Sequence, residues 1–216
     1  MSERIFRAIG IERLRLVNDG EGVTTLVAGT GCPLRCRYCL NPQCFENTVP
    51  VRAFTVDELL RETSVDDLYF QATGGGIVFG GGEPLLQADF IHAFRSACPS
   101  GWRISLESSL AVPGQELEKV ISDIDFFLID IKDMNPEIYR NYTGQDNSLV
   151  KANLKILKEA GMAGKTKIRI PLIPEFNADS DRKASMEECR QMGFEDFDVF
   201  TYEVQRALKK RKNHDL

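Results

Sequence analysis

Val23-Thr-Thr-Leu-Val-Ala28 is a β-rich apolar run that leads into Gly31-Cys-Pro-Leu-Arg-Cys-Arg-Tyr-Cys39. The first stretch reads as a strand and the second as the loop that follows it. Working outward, short runs of the same kind recur at residues 77–80, 103–106, 126–131, 167–172 and 197–201. Helical periodicity fills the intervals at 55–62, 85–97, 115–122, 148–160 and 181–192. In the second of these, Phe90, Ile91, Phe94 and Ala97 recur at helical spacing and predict a sheet-facing stripe. Strands alternating with helices predict βα units and a parallel sheet. Six units are too few for a closed eight-stranded barrel. The expected fold is therefore α/β, a partial, open (β/α)6 TIM-like barrel whose open side admits a large substrate.

With 216 residues, 43% hydrophobic and 27% charged, the chain is long enough for one substantial core, and a single domain over 1–216 is expected, with its core at about 18–202. A formal net charge of −5 supplies no basic field for nucleic acid, and no apolar stretch has the length needed to cross a bilayer. The basic run Arg206-Ala-Leu-Lys-Lys-Arg-Lys212, in the tail 203–216, reads as a solvated helix end, with a docking patch for an acidic protein as the alternative.

Cys32, Cys36 and Cys39 form a C-x3-C-x2-C cluster. Ferredoxin-type iron–sulfur sites supply four cysteines and so close the cluster to outside chemistry. Three cysteines leave one iron open to a small molecule, as electron transfer into S-adenosylmethionine requires. Cys44 keeps an alternative open, because C-x3-C-x2-C-x4-C also suits a closed zinc or four-cysteine site. Clustered thiols of this kind belong in a reducing compartment, which points to the cytoplasm. Cys98 and Cys189 stand alone in helical patterns and read as small buried or half-buried hydrophobes. His92 and His214 fit neither a nucleophile triad nor a histidine zinc site.

The remaining polar motifs also follow strands, on the rim where such barrels place their chemistry. Gly80-Gly-Gly-Glu-Pro84 offers bare backbone groups to the charged ends of an amino acid, with Glu83 as an acceptor for an ammonium. A tight turn with a helix-capping Glu is the alternative. The earlier run Gly74-Gly-Gly76 lacks phosphate-loop spacing. Asp130 and Lys132 stand two residues apart at a strand end and share a face. Charges on a buried face need partners or a ligand. Glu107, ending the neighbouring strand, stands where it could join Asp130 in holding a cation or part of a cofactor.

The cysteine triad, Gly81-Gly-Glu-Pro84, Asp130-Ile-Lys132 and Arg169-Ile-Pro171 together resemble the radical S-adenosylmethionine (SAM) superfamily. More closely, the chain resembles the glycyl-radical-enzyme activating enzymes, of which the pyruvate formate-lyase activating enzyme is the type. Asn18-Asp-Gly-Glu-Gly22 is similar to that family's D-G-P-G entry, Tyr38-Cys-Leu-Asn41 to its Y-C-x-N, and Asp130 to Asn135 to its D-x-K-x-M-N segment.

That resemblance implies that Cys32, Cys36 and Cys39 hold a [4Fe–4S] cluster whose unique iron is chelated by the methionine end of SAM. It implies that Asn41, Gly81, Gly82, Glu83, Asp130, Lys132 and Arg169 orient SAM, with Tyr38 near the adenine. Glu107 and Ser108 match an acid and a hydroxyl at a monovalent-cation site. No catalytic side chain separate from cluster and cofactor is implied. The implied reaction is reductive cleavage of SAM to a 5′-deoxyadenosyl radical, which takes hydrogen from a glycine Cα of a partner glycyl radical enzyme. A flavodoxin or ferredoxin would donate the electron. The chain departs from the family pattern at Glu107 (usually Asp), Gly80 (usually Ser), Leu40 (usually aromatic or His) and Glu203 (His in the type member). Two other functions stay open: a radical SAM enzyme acting on a small molecule, such as the deazaguanine-forming synthases, and a four-cysteine metal-stabilised binding module.

Overall fold

The computed structural model describes residues 4–16, 19–45 and 49–204. Asn18, the basic run Arg206–Lys212 and His214 lie outside the described residues. Among the described residues eight strands form one sheet: β1 (Phe6–Arg15), β2 (Thr24–Gly29), β3 (Arg52–Phe54), β4 (Gly76–Gly81), β5 (Arg103–Ser108), β6 (Phe126–Asp130), β7 (Thr166–Leu172) and β8 (Asp196–Thr201). Their order is β3-β1-β2-β4-β5-β6-β7-β8. From β2 to β8 every pairing is parallel, which gives the six expected units. β3 and β8 stand at opposite ends of the order, so the barrel is open.

Helices lie between the strands: α1 (Val56–Thr63), α2 (Asp67–Thr73), α3 (Ala88–Ala97), α4 (Gly114–Glu118), α5 (Pro136–Thr143), α6 (Ser148–Glu159) and α7 (Asp179–Gln191). α1 starts where Thr55 and Glu58 close a capping box, each side chain taking the other's backbone N–H. α5 starts where Asn135 accepts from the Glu137 and Ile138 N–H groups and Pro136 occupies the first turn; it stops at Gly144, with φ +78°. On α3, Phe90, Ile91 and Phe94 are buried as expected, but Ala97 is exposed because the helix ends there.

The sheet begins at Phe6, ahead of the expected core. β1 runs antiparallel to β2 and carries β3 antiparallel on its other side. This addition is anchored by aromatic packing: the Phe6 ring lies 5.4 Å from Phe79 and 5.3 Å from Phe90, and Phe79 lies 5.4 Å from Phe94. All four rings are buried, each contributing about 1.5–3 kcal/mol by leaving water. Cys189 is buried and Cys98 half-buried, matching their reading as small hydrophobes.

Candidate active site

The C-terminal ends of the parallel strands bring together the cysteine loop, the glycine turn and the charged residues of β5 to β7. The cysteine loop leaves β2 at Gly31, whose φ of +77° turns the chain. Gly31 N–H donates to the Cys44 carbonyl at 2.8 Å, closing the loop on itself. The glycine turn after β4 is locked to it: Gly82 N–H donates to Gly29 O at 3.1 Å, Glu83 N–H to Gly31 O at 2.7 Å, and Asn41 Nδ2 to Gly81 O at 3.0 Å. A Cβ on Gly82 would stand 2.1 Å from Gly31 O. The glycines thus permit backbone-to-backbone contact between two loops.

On its other side the cysteine loop is docked on α5. Arg35 N–H donates to Thr143 O at 2.8 Å and Arg37 N–H to Tyr142 O at 3.1 Å, one on either side of Cys36. Cys32 and Cys36 pack against the hydrophobic core. Burial, reinforced by the nearby Glu83, pushes the Cys32 thiol up to about 12. Burial pushes Cys36 up to about 11, against the pull of Lys132. Cys44, buried on the turn Pro42–Cys44, makes a side-chain hydrogen bond with Cys39, which together with burial raises its pKa. The structure therefore places the fourth cysteine beside the triad. Among the described residues no group of three His, Cys, Asp or Glu side chains is arranged to hold a metal ion as it stands.

Glu83 is nearly inaccessible, and its carboxylate accepts from Leu85 N–H (3.3 Å) and Ser108 Oγ (2.7 Å) on one oxygen and from Ser109 N–H (3.0 Å) and Ser109 Oγ (2.6 Å) on the other. These fill about four acceptor positions, the full capacity of a carboxylate. Glu83 thus ties the glycine turn to the end of β5, and it meets an ammonium only when a serine hydroxyl turns away. Burial raises its pKa against these four donors. Ser108 is engaged by Glu83, and Glu107 lies instead against Arg169, so acid and hydroxyl do not converge here.

The β6–β7 register places Asp130 opposite Arg169. Arg169 Nε donates to Asp130 Oδ1 at 2.7 Å, and its NH2 group contacts Glu107. Lys132 Nζ lies 3.3 Å from Asp130 Oδ2, so the two do share a face. Burial alone would raise the Asp130 pKa; Arg169 and Lys132 outweigh it and hold the carboxyl below the usual range. Two cations face two anions, and the cation that Glu107 and Asp130 hold together is the Arg169 guanidinium. Tyr38 donates its hydroxyl to Glu175 at 2.7 Å, and its ring meets those of Tyr142 (6.2 Å) and Phe176 (5.7 Å).

Sequence reasoning passed over Ser109, Glu175 and the tyrosines Tyr139, Tyr142 and Tyr202. Ser109 directly follows Glu107 and Ser108, and the tyrosines of α5 sit between strong cap residues, so both left signals. Glu175, held at φ +72° in a loop, left none.

The Radical SAM superfamily description matches residues 26–200 of the chain. Among known proteins the chain is similar to the (2S)-3-sulfopropanediol dehydratase activating enzyme of Klebsiella oxytoca, 30% identical with 76% of this chain and 70% of that protein covered. It is also similar to the pyruvate formate-lyase-activating enzyme of Staphylococcus aureus, 32% identical with 76% of this chain and 67% of that protein covered. Among solved structures it resembles a domain of a pyruvate-formate lyase-activating enzyme from Bacteroides vulgatus, with a TM-score of 0.52 and 24% identity over 66% of this chain and 96% of that one. At that identity the likeness speaks to the fold alone.

Proposed function

We propose, since this chain belongs to the radical SAM superfamily and within it to the glycyl-radical-enzyme activating enzymes, that it installs a glycyl radical on a partner of the pyruvate formate-lyase type. The superfamily works with a [4Fe–4S] cluster and SAM. The observation that carries the reading is the donor set: three cysteines on one loop, Cys32 and Cys36 packed on the core and Cys36 within reach of the Lys132 charge, with a charged rim on the adjoining strands.

These residues fit the cluster. Cys32, Cys36 and Cys39 would hold it, and a buried hydroxyl on Tyr139 has no partner among the described residues. When bound, the cluster supplies the electron that splits SAM into methionine and a 5′-deoxyadenosyl radical. Tyr38, Asn41, Gly81, Gly82, Glu83, Asp130, Lys132 and Arg169 would orient SAM. Lys132 and Arg169 would offer cations to its carboxylate and hydroxyl groups; in the structure Lys132 lies against Asp130, and Arg169 against Asp130 and Glu107. In the proposed reaction the 5′-carbon would take hydrogen from a glycine Cα of the partner, leaving the radical on the glycine. A flavodoxin or ferredoxin would replace the electron. With Ser108 held by Glu83 and Glu107 by Arg169, a monovalent cation at that pair would need both to reorient.

A single radical SAM domain and a cytoplasmic location complete the proposal, since a cluster of this kind is kept in a reducing compartment. Among the described residues no helix is long and apolar enough to cross a membrane. The test is anaerobic reconstitution, then incubation with SAM, dithionite and a candidate glycyl radical enzyme. A glycyl radical signal by electron paramagnetic resonance, with deuterium moving from the labelled glycine Cα into 5′-deoxyadenosine, is expected. SAM chemistry on a small molecule with neither signal would put a small-molecule enzyme in its place.

A further inference from the structure

Tyr139 is 1% exposed, and its hydroxyl has no hydrogen-bond partner among the described residues. Native proteins seldom leave a buried hydroxyl unpaired, because its desolvation goes uncompensated. A phenylalanine would fill the same space without that cost. The ring sits one helical turn before Thr143, whose Oγ donates to Tyr139 O at 2.7 Å and whose own carbonyl receives Arg35 N–H of the cysteine loop. α5 therefore holds the Tyr139 side chain under the loop that carries Cys36. The charged and titratable groups that bear on this hydroxyl are Cys36, Lys132, Glu83 and Cys32, from three segments of the rim: the cysteine loop, the glycine turn and the end of β6. Two of the four are expected cluster ligands.

We infer that Tyr139 Oη donates a hydrogen bond to a sulfur of the iron–sulfur cluster beside Cys36 and Cys32 and so sets the cluster's reduction potential. This rests on the assignment of Cys32, Cys36 and Cys39 as its ligands. A donor to sulfur stabilises the more negative, reduced state and moves the potential upward; hydrogen bonds to the sulfurs are among the levers that set it. The cluster in turn supplies the acceptor that the protein alone does not.

Three reconstituted proteins are compared by redox titration under argon: wild type, Tyr139→Phe, and a protein with 3-fluorotyrosine placed at position 139 by codon reassignment. Iron and sulfide contents are expected to be equal. The potential should move negative in Tyr139→Phe and positive with 3-fluorotyrosine, whose hydroxyl is the stronger donor. Pulsed electron paramagnetic resonance of the reduced cluster should lose one exchangeable-proton coupling in Tyr139→Phe. A packing role would give no opposed shifts. Full clusters with unchanged potentials overturn the inference and leave the cluster assignment standing. If Tyr139→Phe fails to load, an unchanged potential in the near-isosteric 3-fluorotyrosine protein overturns it equally. A wild type that binds no cluster overturns both.

Discussion

Gly80 makes room for Glu107: a Cβ on Gly80 would lie 2.9 Å from Glu107 Oε2 and 3.1 Å from its Cβ. In the family that the sequence motifs resemble, Ser and Asp stand at these positions; here a smaller neighbour leaves room for a longer acid. Glu107 is not free to swing aside, because its other oxygen is engaged by Arg169. Gly80→Ser alone should therefore destabilise the protein by roughly 1–3 kcal/mol, as overpacking does. Gly80→Ser with Glu107→Asp should recover at least half of that. Denaturant melts of the two single variants and the double variant check it, and additive losses would show that the positions are independent.

Cys32→Ala, Cys36→Ala and Cys39→Ala should each abolish iron–sulfur assembly and SAM cleavage, while Cys44→Ala keeps both. Cys44 touches Cys39 in the structure, so this is the decisive comparison. Iron and sulfide analysis of the four reconstituted variants measures it. Loss of iron in Cys44→Ala would mean a four-cysteine site and no open iron.

Asp130→Asn and Lys132→Ala should weaken SAM binding about tenfold or more, equivalent to about 1.4 kcal/mol, with the cluster retained. Equilibrium binding to reconstituted protein is the measurement. Unchanged affinity in both would reduce the pair to internal scaffolding of Arg169.

Acid should act through the same carboxylate. The folded protein holds the Asp130 pKa below its unfolded value, so its contribution to stability is fully present above about pH 3.9 and is lost as pH falls from there through the depressed folded value. Asp130→Asn should be less stable than wild type at neutral pH, and the gap should shrink below about pH 4. Urea midpoints at pH 7 and pH 3 test this; a constant gap would contradict it.

Gly82→Ala should cost more than Gly80→Ser. Its Cβ would meet a backbone oxygen, Gly31 O at 2.1 Å, where no side chain can yield. We expect a loss of roughly 2–4 kcal/mol. Cluster loading should also fall, because the clash lies at the root of the cysteine loop. Thermal melts and iron content together check the two effects.

The six parallel strands were legible because each is a compact β-rich run set off from the next by a helical pattern, and the rim motifs followed from their places at strand ends. β1 was missed: only Phe6 and Ala8 of its ten residues are fully buried, so it lacks the apolar run that marked the others. α5 was missed although Asn135, Pro136 and Gly144 mark its two ends; its apolar content resides in tyrosines rather than in a leucine stripe. Asp130 and Lys132 were legible as a pair because period two fixes their shared face. That Arg169 bridges Asp130 to Glu107 depends on the register between strands, which local sequence does not encode. The saturation of Glu83 by two serines was hidden for the same reason.

The two backbone bonds that pin the cysteine loop to the end of α5 also impose an order on biosynthesis. Cys36 leaves the ribosome roughly a hundred residues before Thr143, a delay on the order of 5–20 s at ordinary rates of synthesis. During that interval the three thiols are present but their seat is not. Metal delivered to the nascent chain meets a loop with no fixed shape, whereas metal delivered after release meets one already braced on both sides of Cys36. The loop that carries the three thiols is thus braced by a helix synthesised after it.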